Sequence, residues 1–140
     1  MITYVDTSTL LKLIIDEAGS EQAETIWTAA DAVASVNLIL VEARAAIAAA
    51  TRGGRLTAAQ RRTAITELEA LVSDLYIVSV TDELVASAAH LADAEGLRGY
   101  DAVHLAAALA VEATVLSSAD APLCAAAARR GMYVANALTS

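Results

Sequence analysis

The sequence contains a single cysteine, a single proline and no long apolar segment. Because Cys124 has no second cysteine to pair with, an internal disulfide is excluded, and its alanine-rich surroundings favour a small buried side chain. No apolar stretch reaches the ~18 residues that a membrane-spanning helix requires. The first residues also lack the basic and then apolar segments of a secretion signal. We therefore expect a cytoplasmic protein that does not enter a membrane.

Positive charge is scarce as well, with 9 Lys and Arg against 17 Asp and Glu, which gives a net charge of −8. A generally basic protein that coats nucleic acid is excluded by this balance. An enzyme that reaches phosphates through a bound cation is not excluded, because the metal supplies positive charge locally. The acidity would also suit a basic segment of a partner protein.

Short β-branched runs alternate with longer alanine-rich runs, and the length of 140 residues is typical of one domain, here residues 1–140. The pattern predicts strands at 2–5, 32–35, 76–80, 114–116 and, at an edge, 132–135. It predicts helices at 7–16, 20–29, 37–53, 57–73, 82–95, 101–111 and 121–130. Because the strands are apolar on both faces, we expect an α/β fold. Its central parallel sheet would have four to five strands, with helices on both faces.

Two aspartates stand just after predicted strands, where folds of this class bind ligands. Asp6 directly follows the first strand, and Asp120 comes shortly after the fourth. Either carboxylate is also a suitable helix N-cap, so each one alone has a purely structural alternative.

Two further carboxylates lie on apolar helices. The helical neighbours of Glu42 are all apolar, so its charge must be paired, either with a cation or with a buried arginine. Asp101 opens a nearly all-apolar helix, where it would serve as a cap, a metal ligand or both. His104, one turn later, would either reach a metal or phosphate or be packed and hydrogen-bonded.

These four carboxylates would converge on one acidic pocket. Two carboxylates ~4 Å apart repel by roughly 4 kcal/mol at an effective dielectric constant of ~20. A divalent cation would relieve this repulsion, and hard oxygen ligands suit Mg²⁺ or Mn²⁺. The chemistry that follows is hydrolysis of a phosphodiester bond.

Four motifs occur in a fixed order along almost the whole chain: Val-Asp-Thr-Ser at 5–8, the Ser35-to-Glu42 spacing, Tyr-Asp-Ala-Val-His-Leu-Ala at 100–106, and Ser-Ser-Ala-Asp-Ala-Pro-Leu at 117–123. In this order they resemble the acidic motifs of the PIN-domain family, and a stand-alone domain of this size resembles VapC-type ribonuclease toxins of bacterial toxin–antitoxin pairs.

The resemblance implies a metal-dependent endoribonuclease. The metal-site and catalytic positions of the family fall on Asp6, Glu42, Asp101 and Asp120. Its supporting hydroxyl groups fall on Ser8 and on Ser118, where a threonine is usual in the family. The resemblance further implies Mg²⁺ or Mn²⁺ as cofactor, an RNA substrate such as tRNA or rRNA, an antitoxin partner and a homodimer.

Two other functions fit the same predicted fold. A response-regulator receiver needs a lysine after a late strand, but the only lysine, Lys12, lies in the first predicted helix. A non-catalytic α/β module that only binds a partner would lack one or more of the four acidic residues, and this sequence has all four. Arg98 and the pairs Arg61-Arg62 and Arg129-Arg130 would contact phosphates or lie on solvated surfaces.

Overall fold

The computed structural model describes residues 1–139 and contains one parallel sheet. Its strands are β1 (Ile2–Val5), β2 (Ala32–Val36), β3 (Tyr76–Val78), β4 (Val115–Ser117) and β5 (Tyr133–Ala135). They lie side by side in the order β3-β2-β1-β4-β5, and each neighbouring pair is parallel. The predicted α/β class and the parallel sheet of four to five strands are therefore confirmed.

Within residues 1–139, seven helices connect these strands. They are α1 (Thr7–Lys12), α2 (Ser20–Ala29), α3 (Ile39–Arg52), α4 (Ala58–Ser73), α5 (Asp82–Glu95), α6 (Gly99–Ala110) and α7 (Ala121–Arg129). Successive strands move outward from β1 to β3, and then the chain crosses to β4 and β5 on the other side. Since parallel crossovers are right-handed, this reversal assigns α1–α4 and α5–α7 to opposite faces of the sheet.

The apolar residues form two clusters. One joins the sheet to α5, α6 and α7 and includes the fully buried Tyr4, Leu105 and Leu116. The other joins α1, α3 and α4 through Leu10 and Leu68 and their neighbours. Each fully buried leucine contributes about 1.5–3 kcal/mol to the free energy of unfolding relative to an exposed one. The helices are therefore held against the sheet and against each other mainly by apolar packing. Within residues 1–139, no helix is both long and apolar enough to cross a membrane.

Two helix ends differ from the prediction. Helix α1 ends at Lys12 rather than near Asp16, because Ile14 donates to the Leu11 carbonyl and tightens the chain into a turn that leads to α2. Helix α3 begins at Ile39, two residues after the predicted start at Asn37. The helix is preceded by Leu38, and the Asn37 amide donates instead to the Val78 carbonyl across the sheet.

Two other boundaries bear on the site. Strand β3 ends at Val78, two residues earlier than predicted, and Thr81 caps α5 through the Leu84 amide. Helix α6 begins at Gly99 rather than Asp101, with Arg98 as its N-cap residue. Asp101 therefore lies inside the first turn and is not a cap, so the capping alternative for this carboxylate is wrong.

Candidate active site

The site lies where the strand order reverses, at the carboxyl ends of the adjacent strands β1 and β4. The Asp6 amide donates to the Ser117 carbonyl, which joins the two strand ends at 3.1 Å. Ligands bind to open parallel sheets in the crevice beside such a reversal. The topology thus brings Asp6, from the start of the chain, next to residues more than 110 positions later.

Asp6 is buried and is held by three donors. Ser8 donates to Oδ1 at 2.6 Å, Ser118 donates to Oδ2, and the Thr9 amide donates to Oδ1 at 3.1 Å. The last bond is an N-cap interaction for α1, so the prediction that Asp6 is suited to cap a helix is confirmed. An ionised carboxylate only accepts hydrogen bonds, and these donors fix both of its oxygens in one orientation.

The serines also hold the segment after β4. The Ala119 amide donates to Ser8 Oγ and the Asp120 amide donates to Ser118 Oγ, both at 2.9 Å. Asp120 in turn accepts from the Leu123 amide and caps α7. The two predicted supporting hydroxyls therefore link the Asp6 carboxylate to the backbone that carries Asp120.

Asp101 and Asp120 form a carboxylate pair that shares one cation. Arg98 Nε donates to Asp101 Oδ2 at 3.0 Å, and its Nη2 lies 3.9 Å from Asp120 Oδ1. Partial burial and the nearby charge of Asp101 raise the pKa of Asp120, while Arg98 and the Leu123 amide act in the opposite direction. The Arg98 side chain itself is 81% exposed, so its charge is held at the protein surface beside the two carboxylates.

Glu42 is paired, but not with an arginine. His104 Nε2 lies 2.7 Å from Glu42 Oε1, and the Thr7 hydroxyl donates to the same oxygen at 2.9 Å. Burial alone would raise the pKa of Glu42, yet the hydrogen bonds from His104 and Thr7 and the charge of His104 hold it below its ordinary value. The arginine alternative for this carboxylate is therefore wrong.

His104 extends this pairing into the core. Its side chain is almost completely buried, and its Nδ1 lies 2.7 Å from the Tyr4 hydroxyl. Of the alternatives for His104, the packed and hydrogen-bonded one is correct in this structure. Tyr4 and Thr7 also contact these site residues and were not predicted from the sequence. The signals in the sequence were a tyrosine hydroxyl in the first strand and a threonine directly after Asp6.

Cys124 lies beside the site as a buried thiol with a raised pKa. Its Sγ donates to the Ser118 carbonyl at 3.4 Å, and burial together with the charges of Asp6 and Asp120 raises the pKa of the thiol to about 11. A thiol in this state is almost entirely protonated at neutral pH, and the thiolate is the reactive form. The expected small buried cysteine is confirmed by its low exposure.

The predicted acids thus form three adjoining groups: Asp6 with its serines, Asp101 with Asp120 and Arg98, and Glu42 with His104 and Thr7. In the part of the chain that the structure describes, no three His, Cys, Asp or Glu side chains are close enough to hold a metal ion as they stand. Every buried side-chain nitrogen and oxygen among residues 1–139 also has a hydrogen-bond partner.

The chemistry of these donors nevertheless suits a divalent cation. Mg²⁺ keeps several of its waters and is usually bound by only one or two carboxylates, so a set of three converging protein ligands is not required. All four predicted acids offer hard oxygen atoms. The Asp101–Asp120 pair already attracts a positive charge, that of Arg98. The donor set fits Mg²⁺ or Mn²⁺.

Known proteins resemble this chain in sequence and in fold. A sequence model of the PIN domain matches residues 3–129. Ribonuclease VapC45 of Mycobacterium tuberculosis is 42% identical over 110 residues, which cover 79% of this chain and 76% of the relative.

Two solved structures share the fold at low identity. One is VapBC2 of Rickettsia felis, bound to a DNA fragment from its promoter (TM-score 0.66, 15% identity, 97% of this chain and 98% of that one). The other is the toxin VapC20 of Mycobacterium tuberculosis, described as cleaving the sarcin-ricin loop (TM-score 0.68, 21% identity, 89% and 94%). The match over most of the chain and the 42% identity together show that this protein belongs to the PIN-domain family, in its VapC-type branch.

Proposed function

We propose that this protein is a metal-dependent endoribonuclease that hydrolyses RNA phosphodiester bonds as the toxin of a toxin–antitoxin pair in the cytoplasm. The observation that carries the proposal is the Asp101–Asp120 pair, which shares Arg98 and is linked through Ser118 to Asp6 at the reversal of the sheet. There, burial and a neighbouring carboxylate raise the pKa of Asp120. A divalent cation would stabilise neighbouring carboxylates of this kind. Metal-dependent hydrolysis of a phosphodiester bond uses such a cation.

In this proposal, Asp6, Glu42, Asp101 and Asp120 hold Mg²⁺ or Mn²⁺, and Ser8 and Ser118 support Asp6. A divalent ion held there orients and acidifies water and shields the negative charge that develops on the phosphate. The protein's contribution is to hold its carboxylates in place before the reaction. Asp6 is fixed by three donors and Glu42 by two, so little reorganisation is needed.

Substrate and partners are inferred from relatives. VapC20 is a toxin that cleaves the sarcin-ricin loop, which favours structured RNA, either rRNA or tRNA, as substrate. VapBC2 is a complex, which favours an antitoxin that covers the acidic pocket of this protein. We also propose a homodimer, and that residues 1–140 form one PIN domain.

The test is cleavage of a labelled RNA stem-loop in the presence of Mn²⁺. Glu42→Gln and Asp101→Asn keep the size of the side chain but remove its charge, and each should lose cleavage by orders of magnitude while the fold is kept. Every 1.36 kcal/mol of lost transition-state stabilisation is a tenfold loss in rate. Asp93→Asn is the matched control, because Asp93 is an exposed acid on α5, and it should cleave as fast as the parent.

The ends of the products report on the nucleophile. If water attacks the phosphorus and the P–O3′ bond breaks, the 3′ oxygen leaves as a hydroxyl and the products carry a 5′-phosphate and a 3′-hydroxyl. Ends with a 2′,3′-cyclic phosphate, or full activity in EDTA, would exclude the proposed mechanism. A parent protein that binds RNA or an antitoxin but never cleaves would instead support the non-catalytic partner-binding module.

A further inference from the structure

The positive charge of this acidic protein is concentrated in one segment. Residues 43–66 contain five of the nine Lys and Arg and no Asp or Glu. The remaining residues carry all 17 acidic side chains and only four basic ones. A separation of charge this strong within one chain points to a partner of opposite charge rather than to solubility alone.

The segment forms the hairpin of α3 and α4, which we call the basic hairpin. Its arginines are Arg44 and Arg52 on α3, Arg55 in the connection, and Arg61 and Arg62 in the first turns of α4. All are exposed except Arg61, which is half-buried. The two helices pack through Ala43 and Ile47 on one side and Ala64 and Leu68 on the other, so the arginines are displayed around a rigid support.

These arginines differ from the other cationic side chains in their partners. Lys12 pairs with Glu17, Arg98 pairs with Asp101, and Arg129 and Arg130 both pair with Glu95. Among residues 1–139, by contrast, none of the five arginines of the basic hairpin forms a salt bridge. Their guanidinium groups are therefore available to a partner without breaking an existing ion pair.

The basic hairpin is continuous with the candidate active site. Glu42 lies in the first turn of α3, and Arg52 follows ten residues later, about 15 Å along the helix axis at 1.5 Å per residue. That length matches roughly four nucleotides of one strand at ~3.4 Å each. A polyanion whose reacting phosphate lies at the pocket would thus extend along the hairpin within reach of its arginines.

We propose that the basic hairpin is a docking surface for the phosphate backbone of the RNA, outside the catalytic pocket. This inference rests on the proposed function only in taking RNA as the ligand. The physical reason is electrostatic, because an RNA that approaches the acidic remainder of the molecule is repelled. Arginines free to bind phosphate bidentately supply the compensating attraction and fix the direction of the strand.

The experiment measures RNA binding alone. A fluorescein-labelled RNA stem-loop is titrated with the full-length protein in EDTA, so that cleavage plays no part, and anisotropy is recorded at several salt concentrations. Arg52→Gln/Arg55→Gln removes two exposed charges of the hairpin. We expect roughly tenfold weaker binding or more at low salt. The slope of log K against log salt should be shallower by about 0.7 for each lost phosphate contact.

The matched control is Arg129→Gln/Arg130→Gln, which removes the same charge from two helix-end arginines already paired with Glu95. It should leave the slope unchanged, and Arg52→Lys/Arg55→Lys should restore most of the binding. If Arg52→Gln/Arg55→Gln does not fold, Arg44→Gln/Arg62→Gln makes the same test. An equal effect of the hairpin and control pairs would show that only net charge matters and would overturn the proposal.

The remaining outcomes separate this proposal from the proposed function. If the parent does not bind RNA, the proposed RNA-docking surface is overturned. If the hairpin variants bind RNA as the parent does but bind an antitoxin more weakly, the hairpin is instead a protein-binding surface. Arginine-dependent RNA binding without any cleavage under Mn²⁺ supports the docking surface and contradicts the ribonuclease. If the parent cleaves RNA but the hairpin variants bind RNA with an unaltered Kd, the ribonuclease is supported and the docking surface is contradicted.

Discussion

His104 and Glu42, 62 positions apart in the sequence, are joined by a contact of 2.7 Å between Nε2 and Oε1. An ionised carboxylate cannot donate, so the proton of this bond belongs to Nε2. The other ring nitrogen, Nδ1, lies 2.7 Å from the Tyr4 hydroxyl. Burial raises the pKa of Tyr4, which keeps that hydroxyl protonated. The hydrogen-bonded series Tyr4–His104–Glu42 therefore connects the buried core of the sheet to the candidate active site.

The first prediction concerns the buried end of this series. Tyr4→Phe removes the hydroxyl and leaves Nδ1 of His104 without its hydrogen-bond partner in the core, which should cost about 1–3 kcal/mol in the free energy of unfolding. Urea denaturation measures this value. Tyr76→Phe on the edge strand β3 is the control, since Tyr76 is 67% exposed and the change should be close to neutral. Equal stability of Tyr4→Phe and the parent would contradict the hydrogen bond.

The second prediction concerns pH. The pKa of Glu42 is lower in the folded protein than its ordinary value of 4.5, so Glu42 stabilises the fold above that pH. This contribution is lost as the pH falls through 4.5 toward the folded value. Unfolding free energies of the parent and of Glu42→Gln, measured by urea denaturation between about pH 7 and pH 3, should therefore converge on acidification.

The pKa of Asp120 is shifted in the opposite direction to that of Glu42, so Asp120 provides the control for this pH series. Its folded pKa is raised above the ordinary 3.8, so its ionised form destabilises the fold at neutral pH and protonation relieves this as the pH falls. The parent should accordingly gain stability relative to Asp120→Asn on acidification. Parallel pH curves for both variants would show that neither carboxylate is coupled to folding as described.

The third prediction concerns metal and stability. Mg²⁺ or Mn²⁺ should raise the melting temperature of the parent by several degrees, because binding to the native state at 100 times Kd contributes about 2.7 kcal/mol. Without metal, Asp101→Asn should melt no lower than the parent, since it relieves repulsion on Asp120 and loses only a bond to the exposed Arg98. Calorimetry at matched ionic strength would reject a shared metal site if the divalent ion had no effect.

The fourth prediction concerns Arg98 as the cation already present in the pocket. Arg98→Gln frees Asp101 and Asp120 from the guanidinium, so we expect Mn²⁺ to bind severalfold more tightly near pH 7 in isothermal titration calorimetry. Arg129→Gln, which removes an equal charge far along the chain on α7, should not change the affinity. Weaker Mn²⁺ binding by Arg98→Gln would show instead that Arg98 supports the metal site rather than competing for it.

Several features could be predicted from local patterns. Alternating apolar strands and helices predicted the parallel α/β fold, and the ordered acidic motifs predicted the PIN-domain family; both predictions are confirmed. Gly96 ends α5 in a left-handed conformation, as expected from a glycine after a helical run. These features depend on neighbouring residues along the chain, which is why the sequence contains them. The assignment of Asp6, Glu42, Asp101 and Asp120 as metal ligands remains a prediction.

The sequence by itself determined which carboxylates are candidates for the chemistry, because strand ends and helix faces follow from local apolar periodicity. Only the tertiary structure decided their partners. Glu42 was expected to meet an arginine if it met no cation, and it meets His104. Arg98 joins Asp101 to Asp120 only because α6 and the start of α7 lie side by side. Such contacts depend on the order of the strands and the packing of distant helices, whose free energy comes from many small buried contacts that no local spacing encodes.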